Sequence, residues 1–195
     1  MFTILDETKS KIVVNRSKFL GFVFYCNSVE RREQILQNFK KEYFDATHIC
    51  FGHVFWDGKG ICYVSSDDRE PSGTAGLPIV NALRENNFIN VLCVVVRFFG
   101  GVKLGVQNLS KAYKQCAYDA ILNATTKAVN LKTKCMIKCD YNTYNKLNKI
   151  VPELKSCETS FDNDIVINAM LTEDEIVRVK KVIEEFVITE DKSFC

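Results

Sequence analysis

The sequence contains no apolar run approaching the ~20 residues that a membrane-spanning helix needs. Met1-Phe-Thr-Ile-Leu-Asp6 runs straight into charge, so no signal peptide is expected. Among nine cysteines (Cys26, Cys50, Cys62, Cys93, Cys116, Cys135, Cys139, Cys157 and Cys195) there is no Cys-x-x-Cys pair. An odd, scattered set inside strand and helix patterns reads as free thiols in a reducing cytoplasm. Cys135 and Cys139 share a strand face, but zinc would need two more ligands and the sequence suggests none. The two histidines, His48 and His53, lie five apart on one expected strand and point to opposite faces, so they form no chelate. There is no Walker pattern and no nucleophile elbow. Lys and Arg number 26 against 24 Asp and Glu, a net charge of +2, so any basic surface must come from clustering.

What remains is an ordinary globular composition, 47% hydrophobic and 26% charged. A chain of 195 residues holds one large domain or two small ones. Val91–Val96 is an unbroken β-branched run, the pattern of a strand buried on both faces. Arg97 ends it, Phe98 and Phe99 follow, and Gly100, Gly101 and Gly105 break the chain. A helix is predicted from near Asn108, its apolar stripe being Leu109, Ala112, Tyr113, Cys116, Ala117, Ala120 and Ile121. Arg97, Lys103, Lys111 and Lys114 group near this strand–glycine loop–helix unit. Such a loop suits an anion, because glycines let backbone N–H groups approach and a helix start carries partial positive charge.

In chain order, strands are predicted over Lys11–Val14 and Lys18–Cys26, and a helix from Ser28 as N-cap to about Tyr43. A strand over Ala46–Trp56 turns at Asp57–Gly60 into Ile61–Val64. The polar stretch Ser65–Gly76 enters a helix from Leu77 to Asn86, with Pro78 in its first turn. Residues 124–130 read as a linker. Beyond it the order is strand (Leu131–Asp140), helix (Tyr141–Val151), strand (Leu154–Phe161), strand (Ile165–Leu171), helix (Thr172–Phe186) and strand (Val187–Asp191). Thr172 and Glu175 form a capping box, and βαββαβ is a ferredoxin-like order. The fold class is α+β, with domains expected over 1–127 and 131–195.

Two sets of residues are candidates for chemistry. The basic set is Arg97, Gly100, Gly101, Lys103, Gly105, Lys111 and Lys114, for RNA or another anion. Arg97 follows a buried strand and needs a partner, either an anion or one of Asp67, Asp68 and Glu70; the two readings stand level. The second set is His48, Asp67, Asp68, Glu70, Ser72, Gly73 and Thr74. Its carboxylates can hold Mg²⁺ with a phosphate substrate, or cap the following helix and pair with Arg69, Arg97 or Lys103. Ser72 and Thr74 are nucleophiles only if an oriented base lies beside them, and His48 is the one histidine offered. Phe98 and Phe99 can stack on bases, though such a pair more often sends one ring into the core. No catalytic residue, resident metal or cofactor is assigned.

Ala46-Thr-His48, Ser66-Asp-Asp-Arg-Glu-Pro-Ser-Gly-Thr-Ala-Gly76, Asn90–Gly105 and the continuation through Leu109, Lys111, Ala112 and Tyr113 resemble the IMPACT family, specifically its bacterial YigZ-like branch. The resemblance implies a first domain of the superfamily that includes a small-subunit ribosomal-protein domain and domain IV of elongation factor G. It implies a second domain like domains III and V of that factor. The expected function is a non-catalytic regulator or accessory factor in translation, in the cytoplasm, binding RNA, the ribosome or a translation-related protein. A metal-assisted hydrolase or phosphotransferase on the acidic loop and a protein-interaction module docking through the second domain's open sheet face are the alternatives. The sequence fixes no oligomeric state. It departs from the family pattern at Arg69, where glycine is usual, and at Gln107 and Asn108, where two loop glycines are usual.

Overall fold

The structure is a computed structural model that describes residues 1–152, 154, 157–161, 165–183 and 186–194. It forms two compact units, Met1–Val129 and Asn130–Cys195. Both mix helices with antiparallel sheets, so the α+β class holds.

In the first unit β1 (Phe2–Ile4) and β2 (Thr8–Val14) precede β3 (Ser17–Tyr25) and α1 (Val29–Glu42). Then come β4 (His48–Trp56), β5 (Ile61–Ser66), α2 (Gly76–Glu85), β6 (Val91–Phe98), α3 (Val106–Leu122) and β7 (Thr126–Ala128). The main sheet runs β2-β3-β6-β4-β5, and every neighbouring pair in it is antiparallel. β6 therefore lies at its centre with a helix layer on each face, which is why its sequence does not alternate. Leu92, Val94 and Val96 pack with Phe22 and with Ile35, Leu36 and Phe39 of α1. The opposite face meets α2 and α3. There a Cβ on Gly52 would fall 2.5 Å from Val80 N, so strand and helix touch through bare backbone.

Several boundaries move. β6 runs on through Arg97 to Phe98, because Arg97 is paired with Phe19 on one side and His48 on the other. α3 starts at Val106 rather than Asn108, since Gly105 at φ 74° turns the chain into it. The expected linker holds β7, which pairs with β1 and closes the unit's two ends together.

The second unit holds β8 (Leu131–Cys139), α4 (Tyr141–Ile150), β9 (Glu158–Phe161), β10 (Ile165–Leu171), α5 (Glu173–Lys180) and β11 (Phe186–Phe194). Its sheet order is β11-β8-β10-β9, antiparallel throughout. The capping box at Thr172 starts α5, whose cap at Lys181 ends it short of the predicted Phe186. The predicted strand from Leu154 begins only at Glu158; residues 155 and 156 within that prediction lie outside the described residues, as does Cys195. Cys135, Ile137, Ile165 and Ile167 pack under Leu147, Ile176 and Val179 of the helices. The other sheet face presents Lys134, Met136, Lys138 and Asn168. Met136 is the exposed large apolar residue on this face among the described residues, with the half-buried Val166 and Met170 beside the lysines.

Candidate functional site

One end of the first unit's sheet gathers three connections: the β2–β3 turn, the β5–α2 loop and the β6–α3 loop. Their packing follows from one cross-strand row. His48, Arg97 and Phe19 are register partners across β4, β6 and β3. All three side chains lie on the α2/α3 side, where Phe19 meets Tyr113 of α3 edge-on at 5.1 Å.

The acidic loop folds inward onto this row. Arg97 Nη1 lies 2.6 Å from Glu70 Oε1, and the Tyr113 hydroxyl donates to the same oxygen at 2.7 Å. Arg97 and Glu70 are only 5% and 8% exposed. His48 Nε2 sits 3.7 Å from the other Glu70 oxygen. Its Nδ1 donates to the Asp68 carbonyl at 2.8 Å, which fixes that nitrogen as the protonated one because a carbonyl only accepts. The Cys50 thiol donates to the Asp67 carbonyl at 3.1 Å and to the Tyr113 hydroxyl at 3.4 Å, and burial pushes it far above the ordinary thiol range. It is a structural donor, not a nucleophile.

The other two carboxylates close the loop. Asp67 accepts from the backbone N–H groups of Gly73, Ala75 and Gly76 at 2.8–2.9 Å, so it caps the start of α2. Burial alone would raise its pKa, but the three N–H donors outweigh that and hold it below the ordinary carboxylate value. Asp68 accepts from Ile49 N at 2.7 Å. Thr74 is 2% exposed and spends its hydroxyl on the Pro71 carbonyl at 2.6 Å. The three carboxylates thus point to three different sets of donors. No cluster of His, Cys, Asp or Glu able to hold a metal occurs among the described residues. Ser72 is exposed and Gly73 adopts φ 75°, so both serve the loop's surface and turn.

The basic set does not assemble as grouped in sequence. Arg97 is internal, its guanidinium held between the rings of Phe19 and Phe99 at 5.4 and 5.5 Å. Lys114 turns toward α2 and pairs with Glu85 at 2.7 Å. Lys111 is exposed on the opposite flank of α3, in a groove beside β2. Lys103 is exposed on the glycine loop. Gly101 and Gly105 adopt φ 83° and 74°. Gly100 has no room for a side chain, since a Cβ there would fall 2.1 Å from the Arg16 carbonyl carbon.

That contact brings in residues the sequence reading passed over. The β6–α3 loop is laid on the Asn15–Arg16 turn, whose residues adopt φ 45° and 67°. Ser17 accepts from Gly100 N at 3.2 Å and from Arg97 at 3.4 Å, and Thr47 accepts from Phe99 N at 2.9 Å. Arg16 is exposed beside the loop, and Lys18 Nζ lies 4.1 Å over the Phe98 ring. The Asn-Arg-Ser hairpin turn was visible in sequence, but nothing local linked it to a loop some eighty residues away. The outcome is a surface with Phe99 (46% exposed), Val102, Arg16, Lys103 and the largely exposed side chain of Arg69, whose Nε lies 3.8 Å from Asp68 Oδ1.

These features define an α+β protein of two compact units, whose first unit ends in a loop platform with Glu70 buried against Arg97 and with Arg16, Arg69 and Lys103 exposed. The chain belongs to the IMPACT family: the Impact N-terminal domain model matches residues 15–121. It is 28% identical to the IMPACT family member YvyE of Bacillus subtilis (strain 168), over 78% of this chain and 70% of that one. It is 29% identical to YigZ of Escherichia coli (strain K12), over 83% and 75%. A crystal structure of a hypothetical protein superimposes with a TM-score of 0.67 at 22% identity, covering 92% of this chain and 89% of that chain. The structure of the two-domain translational regulator Yih1 overlaps at a TM-score of only 0.36 and 20% identity, over 62% and 46%, too slight to compare the folds. No helix among the described residues is long and apolar enough to cross a membrane.

Proposed function

We propose that this protein is a non-catalytic accessory or regulatory factor of translation, acting in the cytoplasm and binding RNA through the loop platform of its first unit. One observation carries the reading. Glu70 and Asp67 are consumed by internal donors and Asp68 accepts from Ile49 N while lying 3.8 Å from Arg69, whereas Arg16, Lys103 and the ring of Phe99 face outward beside the largely exposed Arg69. A ring among cations is the arrangement that stacks a base while phosphates are neutralised. Membership of the IMPACT family supports the translational setting. The partner is RNA, free or ribosomal.

The test is binding of a labelled single-stranded RNA across a salt series. Each phosphate contact contributes a slope of about −0.7 in log K against log salt. Lys103→Ala and Arg16→Ala should each flatten that slope by about 0.7. Phe99→Ala should weaken binding by roughly 1–3 kcal/mol without changing it. A salt-independent affinity, or variants that bind as the parent does, removes this surface from consideration.

A further inference from the structure

We infer that the groove between β2 and α3, beside the platform, is a nucleotide subsite that reads a base of single-stranded RNA. The inference rests on the RNA-binding reading above and extends it from phosphate contact to base discrimination.

The groove has a volume of about 480 Å³, within the range of small-ligand sites. Ile12 of β2 and Ala112 of α3 give it an apolar floor. Three side-chain amides line it from three places: Asn15 on the hairpin turn, Asn108 in the first turn of α3 and Gln115 two turns on. Lys111 is the charged side chain in its lining, and among the described residues no carboxylate lines it. Two of the amides are held in place by local bonds. Asn108 Nδ2 donates to the Leu104 carbonyl at 3.2 Å, and Gln115 Nε2 donates to Asp119 at 2.7 Å. Each amide retains its carbonyl oxygen and one N–H for a ligand.

An apolar floor with fixed amides and one cation matches a splayed nucleotide. The base lies on the floor, its edge meets acceptors and donors, and a phosphate meets Lys111. A purely electrostatic phosphate track would need cations where this groove has amides. The groove is continuous with the platform, because Asn15 lines it and the adjoining Arg16 backbone carries the Gly100 loop. A strand stacked on Phe99 can therefore place a neighbouring nucleotide here.

The experiment measures affinities of the full chain for eight-nucleotide homopolymers of A, C, G and U, with Asn108→Ala, Gln115→Ala and Lys103→Ala variants. The parent should prefer one homopolymer over the poorest by about tenfold or more, the effect of two or so hydrogen bonds. Asn108→Ala and Gln115→Ala should each shrink that ratio about three- to tenfold and leave the poorest ligand's affinity unchanged. Lys103→Ala should weaken all four equally. Both amides are exposed, and thermal melting checks that the variants fold. Photo-crosslinking with 4-thiouridine RNA gives an independent readout, expected on residues 104–118. RNA binding with equal affinity for all four bases, a ratio unmoved by both variants, or crosslinks confined to the platform overturns the groove while leaving the platform standing. Absence of any RNA binding overturns both.

Discussion

Arg97→Met tests whether the buried ion pair is the joint that holds the two loops together. Arg97 Nη1 and the Tyr113 hydroxyl share one oxygen of Glu70, and both charged residues are less than a tenth exposed. Removing the guanidinium leaves a carboxylate in a site sealed by Phe19 and Tyr113, with the hydroxyl and His48 as its remaining neighbours. Breaking a buried pair from one side costs about 3–5 kcal/mol, mostly from the charge left behind. Glu70→Gln should cost a similar amount by stranding the guanidinium. The double variant removes both charges, so it should cost about 3 kcal/mol rather than the sum of about 6–10 kcal/mol, a coupling energy of at least about 3 kcal/mol. Urea unfolding followed by fluorescence reports on the correct unit, since the chain's one tryptophan is Trp56 in β4. That matters because two compact units need not unfold together. Single variants costing under about 1 kcal/mol, or costs that simply add, would refute the ionic joint.

His53 gives a pH test. It is fully buried, its Nε2 donates to the Cys26 carbonyl at 3.0 Å, and its Nδ1 has no partner among the described residues. Burial pulls its pKa down from 6.5 to about 4. The unfolded chain therefore takes up a proton that the folded one refuses, and stability falls as pH drops from about 6.5 to 4, by about 3 kcal/mol at the limit. His53→Gln should flatten that window, and a slope unchanged from the parent would sink the assignment. Asp67→Ala should cost about 2 kcal/mol near neutrality through the lost cap. Because the native carboxylate lies below its ordinary value, that difference should vanish as pH falls below ~4, read from urea midpoints. Gly100→Ala should disturb the β6–α3 loop and lower both stability, by about 1–3 kcal/mol, and RNA affinity. Gly101→Ala, with open space around it but φ 83°, should cost only about 1 kcal/mol.

Much of the fold was legible because its signals are local. The unbroken run at Val91–Val96 marks a strand covered on both faces, and Ser28 and Thr172 cap their helices with Arg31 N and Glu175 N as their sequence context suggests. The site was only half legible. The sequence offered Arg97 either an anion or a carboxylate, and both satisfy an unpaired buried cation equally well. Register decides between them: with His48 opposite Arg97, the loop after β5 arrives directly over the guanidinium. The split of Lys111 and Lys114 was equally hidden. Three residues apart on a helix they are near neighbours, but α3 lies between α2 and β2, and each lysine falls to a different side. Asn108, which stands out in sequence as a replaced glycine, finds its place only when β2 is seen to form the other wall of the groove.

The internal ion pair and the outward platform are parts of one arrangement rather than rival roles. A cation buried under a sheet end cannot meet phosphate, yet Arg97 lies against the inner side of Phe99 while the ring's exposure leaves its outer side to solvent. The pair thereby fixes the loop that carries the exposed ring, and Ser17 and Thr47 fix the backbone on either side of it. A stacking side chain presented on a glycine loop would otherwise pay ordering entropy on each binding event. Here the ordering is completed during folding, by contacts that remain shielded from salt. Affinity should therefore respond to salt through Arg16, Arg69 and Lys103 of the platform and Lys111 of the groove, while the geometry of the platform does not.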